Sequence, residues 1–276
     1  MSLPTRFVKV SGGGNDFLLF EADGRRLSEE DRRIVSRLCR RGLSVGADGA
    51  LFLSGGGEGR LHLDYFNSDG GLASFCANGT RCAARYAVRR RLVAGTNPVL
   101  ETGWGAIPAL VEGERVTLLL PPLPRPGDPV AIGGEGLPPT GIPMHVGVPH
   151  LVVLVAGPVE SLPLKDLGPP LRRHPAFAEG ANVNFVRATH DGGLEVRTWE
   201  RGVEAETLAC GSGVVASAVV AASEGLVRPP VVCATRSGVE FTVAFVEEAT
   251  GVRDVTLTGD AREVFTGELT EEAWKS

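Results

Sequence analysis

Lysine is nearly missing from this 276-residue chain. Only Lys9, Lys165 and Lys275 occur, and every other basic residue is arginine. Chemistry that needs a Schiff-base lysine, as pyridoxal phosphate enzymes do, therefore has few places to attach. No apolar run approaches the ~20 residues of a membrane span. Residues 1–10 lack the long apolar core of a secretory leader. There is no CxxC, and five cysteines at irregular spacing argue against a disulfide framework. The five histidines lack metal-ligand spacing, so no metal is expected. A net charge of −5 gives no basic surface for nucleic acid and makes an anionic membrane a poor partner. The only run of three arginines, Arg89-Arg90-Arg91, falls at the end of a predicted helix, where cations complement the dipole. These absences lead to the expectation of a cytoplasmic protein with free thiols that acts on a small molecule.

What is present is a strand-rich pattern that occurs twice. Strands are predicted on either side of a glycine-rich turn at 12–16, then at 50–53, 60–66, 99–102, 106–111 and 115–120. Ser28 with Asp31 opens a helix to about residue 41 in a capping-box pattern. Residues 121–136, rich in proline and glycine, read as a linker. Beyond it, strands at 144–146, 151–155, 183–188 and 194–199 precede an apolar helix, and strands at 231–235, 239–246 and 254–258 follow it. The expected fold is α+β, with two similar lobes. Each lobe is a curved, mixed or antiparallel sheet wrapped around one central buried helix. The lobes are placed at residues 1–122 and 123–261, with 262–276 returning to the first.

Each half also carries a cysteine ahead of a helix: Cys76-Ala77-Asn78-Gly79 and Cys210-Gly211-Ser212-Gly213. A cysteine at a helix N-terminus meets unpaired N–H groups and the positive end of the dipole. That setting lowers a thiol pKa from ~8.5 toward roughly 3.5–7.5. Two such thiols, aimed into the cleft expected between the lobes, suit an acid and a base on opposite sides of one small substrate. Cys39, Cys82 and Cys233 read as packing residues.

Asn15-Asp16-Phe17, Asn67-Ser68-Asp69-Gly70, Cys76 through Cys82, Pro149-His150, Asn182, Glu200-Arg201-Gly202 and Ala209 through Gly213 occur in this order. On these motifs the chain resembles the diaminopimelate epimerase family over nearly its whole length. The resemblance implies a cofactor-independent epimerase with Cys76 as proton donor and Cys210 as proton acceptor in one direction of turnover. It implies that His150 and Glu200 sit beside them and help set their protonation. Substrate contacts would come from Asn15, Asn67, Ala77, Asn78, Asn182, Glu200, Arg201, Gly211 and Ser212. Glu200 would hold an ammonium and Arg201 a carboxylate, bidentately. A homodimer is plausible in the family. The chain departs from the commonest pattern at Ala77 (usually glycine), at Val148 (usually a substrate-binding asparagine) and at Gly49 (glutamine in some members). The Glu200–Cys210 spacing is also one residue longer. These departures concern the far end of the substrate rather than the cysteines.

Other readings predict different behaviour. A racemase for proline, hydroxyproline or histidine would share the two thiols. An isomerase of the same fold with a carboxylate base would lack them. A non-catalytic amino-acid-binding or thiol redox protein would exchange no α-proton. Facing thiols could also oxidise to a disulfide.

Overall fold

The architecture repeats one strand-pairing scheme in two units of a computed structural model that describes residues 3–133 and 137–275. Unit 1 comprises Met1–Leu118 and Asp260–Ser276, and unit 2 comprises Leu119–Gly259.

Unit 1 begins with an antiparallel hairpin, β1 (Arg6–Gly12) and β2 (Asn15–Glu21). Its turn is narrower than the sequence suggests. Only Gly13 and Gly14 lie outside the strands, both at positive φ, which glycine adopts without steric cost. Asn15 and Asp16 already belong to β2. Helix α1 (Glu29–Leu38) has the expected box, with Ser28 and Asp31 satisfying each other's backbone N–H groups. It ends three residues early because the chain tightens, Arg40 N–H bonding to Arg37 O. β3 (Gly49–Gly55) runs parallel to β2, and β4 (Arg60–Asn67) antiparallel to β3. The short β5 (Leu72–Ala73) flanks β4 and leads into α2 (Ala77–Arg89). This helix starts directly after Cys76, which is its N-cap.

β6 (Val99–Thr102) pairs parallel to β4, and β7 (Gly105–Glu112) and β8 (Arg115–Leu120) follow antiparallel. The strand Arg262–Glu268 adds to the outer edge of β1. It went unpredicted because it is mostly exposed and shows no apolar alternation. Small residues let the sheet close on α2, where Ala83, Ala84 and Ala87 have no exposure.

Unit 2 begins at Leu119, just before the predicted linker, whose residues 134–136 lie outside the described residues. Two short strands, β9 (Leu123–Pro124) and β10 (Val130–Ala131), interrupt that segment. Then the scheme recurs. β11 (Thr140–Val146) and β12 (Val148–Leu154) are antiparallel. α3 (Leu164–Arg172) follows, and β13 (Asn182–Ala188) runs parallel to β12. β14 (Leu194–Glu200) returns antiparallel, with β15 (Ala205–Thr207) at its flank. After α4 (Gly211–Ser223), β16 (Val231–Thr235) pairs parallel to β14, then β17 (Glu240–Glu248) and β18 (Gly251–Asp260) antiparallel. Each pairing from β1 to β8 thus has its counterpart from β11 to β18.

Helix α3 carries Pro169-Pro170 inside it, in a stretch to which the sequence reading assigned no element. Tertiary packing overrides the prolines: Leu164, Gly168 and Leu171 are buried, and Gly168 lies against the indole of Trp199 where a methyl would collide. α4 is buried from Gly213 through Ala222, as its all-round apolar sequence requires.

Candidate active site

Each central helix begins at a cysteine. Cys76 is the N-cap of α2 in extended conformation, and its Sγ accepts the Gly79 N–H at 3.4 Å. Cys210 is the N-cap of α4 in the same extended conformation but without a cap bond from its side chain, and its Sγ lies 3.5 Å from Ser212 Oγ. Each sulfur therefore sits at the first turn of its helix, Cys76 against an amide and Cys210 against a hydroxyl. Ala77, the first residue of α2, has the helical backbone that alanine accepts in place of glycine.

In unit 1 a polar chain runs away from Cys76. Asn78 Nδ2 donates to Asn15 Oδ1 at 2.6 Å, and Asn15 Nδ2 donates to Asp48 Oδ2 at 2.9 Å. Asn78 Oδ1 accepts from Arg81 Nη2 at 2.6 Å. Arg81 is wholly buried, and its other nitrogens reach the carbonyls of Asp260 and Ala77. Asp48 continues into an ionic cluster with Arg41, Asp16 and the buried Lys9, whose Nζ is 2.6 Å from Asp16 Oδ2. Burial works against the Asp16 charge, but hydrogen bonds from Arg41 and Lys9 outweigh it and hold the carboxyl below its usual range. Asn67, half-buried, closes β4 opposite Gly49. A side chain at Gly49 would have no room, since the Tyr65 ring already lies 2.6 Å from where its Cβ would be.

In unit 2 the chain of polar groups is different. His150 stands in the middle of β12, fully buried, with Asn182 beside it on β13. Asn184 Nδ2 donates to His150 Nδ1 at 3.1 Å, and Thr198 Oγ1 donates to Asn184 Oδ1 at 3.0 Å. Burial drives the His150 pKa down to about 3, helped by His145 and Arg201. Asn184 Oδ1 also lies against Gly213, where any Cβ would collide with it and would sit 3.2 Å from Cys210 Cβ. Asn182 Oδ1 accepts the Arg201 N–H at 2.8 Å, and the Arg201 guanidinium pairs with exposed Glu179 at 3.4 Å. Glu200, half-buried, ends β14, the position that Asn67 has on β4. Val148 likewise stands where unit 1 has Asn15, and Asn182 where unit 1 has Gly49.

Cys39, Cys82 and Cys233 have thiols pushed up to about 12, in each case chiefly by burial. That fits inert packing. Arg81, Asn184, Thr198 and Asp48 went unmarked in the sequence. Arg81 and Asn184 had a legible signal, a strong polar residue inside an otherwise apolar or small-residue element. Among the described residues no cluster of three or more His, Cys, Asp or Glu could hold a metal, and no helix is long and apolar enough to cross a membrane.

The diaminopimelate epimerase family model matches residues 7–117 and 143–264. Diaminopimelate epimerase of Aquifex aeolicus is 39% identical, over 96% of this chain and 98% of its own. The chain belongs to the diaminopimelate epimerase family. Diaminopimelate epimerase of Methanothrix thermoacetophila is 40% identical over 84% of this chain and 86% of its own. Among solved structures, a probable proline racemase from Agrobacterium radiobacter K84 covers 98% of the chain and 94% of its own at TM-score 0.74 and 16% identity. A PhzC/PhzF-type phenazine biosynthesis protein from Clostridium difficile covers 96% and 99% at TM-score 0.73 and 15% identity. At such identities these two establish the epimerase-like fold only. Membership of the family makes the chain an isomerase-type enzyme.

Proposed function

We propose that the chain inverts an amino-acid α-carbon with two cysteines and no cofactor, interconverting LL- and meso-2,6-diaminopimelate. In one direction the Cys210 thiolate takes the α-proton while the Cys76 thiol delivers a proton to the opposite face. The C–H electron pair stays on carbon as the old bond breaks to form S–H on Cys210. The Cys76 S–H then breaks to form the new C–H, and the roles exchange in reverse. No electron enters or leaves. The difficulty lies in the carbanion, whose charge spreads into the α-carboxylate. First-turn amides at Ala77, Asn78, Gly211 and Ser212 are positioned in the sequence to hold that carboxylate. Glu200 serves an ammonium, Arg201 a carboxylate, and Asn15, Asn67 and Asn182 supply amides that suit both signs without adding charge. His150 and Glu200 act on the thiols.

The observation that carries this reading is that the central helix of each unit is N-capped by a cysteine. Proton exchange at the α-carbon in D2O tests it, with LL-diaminopimelate beside proline, 4-hydroxyproline and histidine. Exchange with diaminopimelate and its loss in both Cys76→Ala and Cys210→Ala is the expected result. Full activity in either variant overturns the two-thiol mechanism, and exchange with proline alone moves the chain to the racemases.

A further inference from the structure

His150 is completely buried, yet its Nε2 has no hydrogen-bond partner in the protein. Its Nδ1 is spoken for. An amide nitrogen has only hydrogens to offer, so the Nδ2 of Asn184 makes Nδ1 an acceptor. The neutral imidazole then carries its proton on Nε2. Thr198 holds the other end of the amide, its hydroxyl donating to Asn184 Oδ1. Native proteins seldom leave a buried N–H unpaired.

The fold does not require these polar groups. β2, β3 and β4 in unit 1 have the register of β12, β13 and β14 in unit 2. At the positions of His150, Asn184 and Thr198, unit 1 has Phe17, Leu51 and Tyr65. Phe17 and Tyr65 meet edge to face at 5.8 Å. Leu51 packs on Gly79 of α2 as Asn184 packs on Gly213 of α4. Two hydrocarbon side chains and a phenol ring fill the same space, so the fold does not dictate the His–Asn–Thr chain.

We infer that Asn184 and Thr198 are positioning residues that hold His150 as a fixed, neutral Nε2–H donor toward an anion of the reacting site. The inference rests on the epimerase reading for the identity of that anion. It excludes His150 as a proton shuttle or an imidazolium. His145 and Arg201, the charged or chargeable groups acting on the ring, oppose its protonation.

Long-range 1H–15N correlation on the 15N-labelled free protein reads the tautomer directly, with the His150 signals assigned by their loss in His150→Gln. The expected spectrum has an unprotonated Nδ1 and a protonated Nε2, unchanged between pH about 8 and 5. In Asn184→Asp the carboxylate accepts instead of donating, so the proton moves to Nδ1. kcat for epimerisation then falls on the order of 10²-fold with little change in KM. Thr198→Val gives a mixed tautomer and a smaller loss. A wild-type His150 protonated on Nδ1, or on both nitrogens at neutral pH, overturns the assignment. So does an Asn184→Asp protein whose tautomer is unmoved. Because the tautomer is read without substrate, its outcome stands apart from whether diaminopimelate is the substrate.

Discussion

The two units solve one packing problem with opposite chemistry. Beneath α2 the sheet presents Phe17, Leu51 and Tyr65, while the helix itself buries Asn78, Arg81 and Arg85, with Arg81 fully enclosed. Beneath α4 the sheet presents His150, Asn184 and Thr198, while the helix offers Val215 where α2 has Arg81. Each unit therefore buries polar machinery next to its cysteine. One places it on the helix as a cation and the other on the sheet as a neutral relay. A shared fold does not force either choice, so the difference belongs to function rather than to packing.

Making the unit 2 trio apolar breaks the comparison most directly. The triple variant His150→Phe, Asn184→Leu, Thr198→Val removes every member of the relay at once, leaving no half-satisfied group. Added bulk costs about 1–3 kcal/mol through overpacking, and the protein is expected to remain folded by circular dichroism and thermal melting. Epimerisation is expected to fall by about 10³-fold. A variant that cannot fold would show the trio to be structural, and one with wild-type turnover would show it to be dispensable.

The mirror test acts on unit 1. Arg81→Met leaves Asn78 Oδ1 and the carbonyls of Ala77 and Asp260 short of a donor. At about 1 kcal/mol for each lost hydrogen bond, the expected loss is about 3 kcal/mol in urea unfolding. Val215→Met at the matching place in α4 changes only volume, so its cost is expected to stay within about 1–3 kcal/mol with no loss of polar satisfaction. If the two substitutions destabilise equally and leave turnover alike, the buried cation contributes nothing beyond packing.

How much of this contrast could be read from the sequence depended on whether the signal was local. The two helix-initiating cysteines stood out because each motif is contiguous, and the all-apolar α4 announced its burial. The Ser28–Asp31 box was legible for the same reason. His150 and Asn184 lie 34 residues apart, and only the parallel pairing of β12 with β13 makes them neighbours. The Asn15–Asn78 bond spans 63 residues and needs the hairpin to be in place first. The strand Arg262–Glu268 and helix α3 escaped for another reason. Their local propensities are weak or adverse, and both form because a neighbour supplies the missing partner, the edge of β1 in one case and the face of Trp199 in the other.

Acid provides the gentlest way to separate the units. His150 has a folded pKa of about 3 against an ordinary value of 6.5. Below 6.5 the unfolded chain takes up a proton that the folded state refuses, so stability falls with pH at about 1.4 kcal/mol per unit from this group alone. The loss continues until the pH approaches 3, and above 6.5 the contribution is flat. Asp16 acts in a lower window. Its folded pKa is depressed, so the stability it contributes is present above the ordinary carboxylate range and disappears only as the pH drops through the folded value. Urea titrations between pH about 7 and 5 should therefore show a slope in the wild type that is shallower in the His150→Phe triple variant, since Phe at that position binds no proton in either state. Equal slopes in the two proteins would mean that His150 is protonated inside the folded protein, and the neutral-donor account of unit 2 would fail with it.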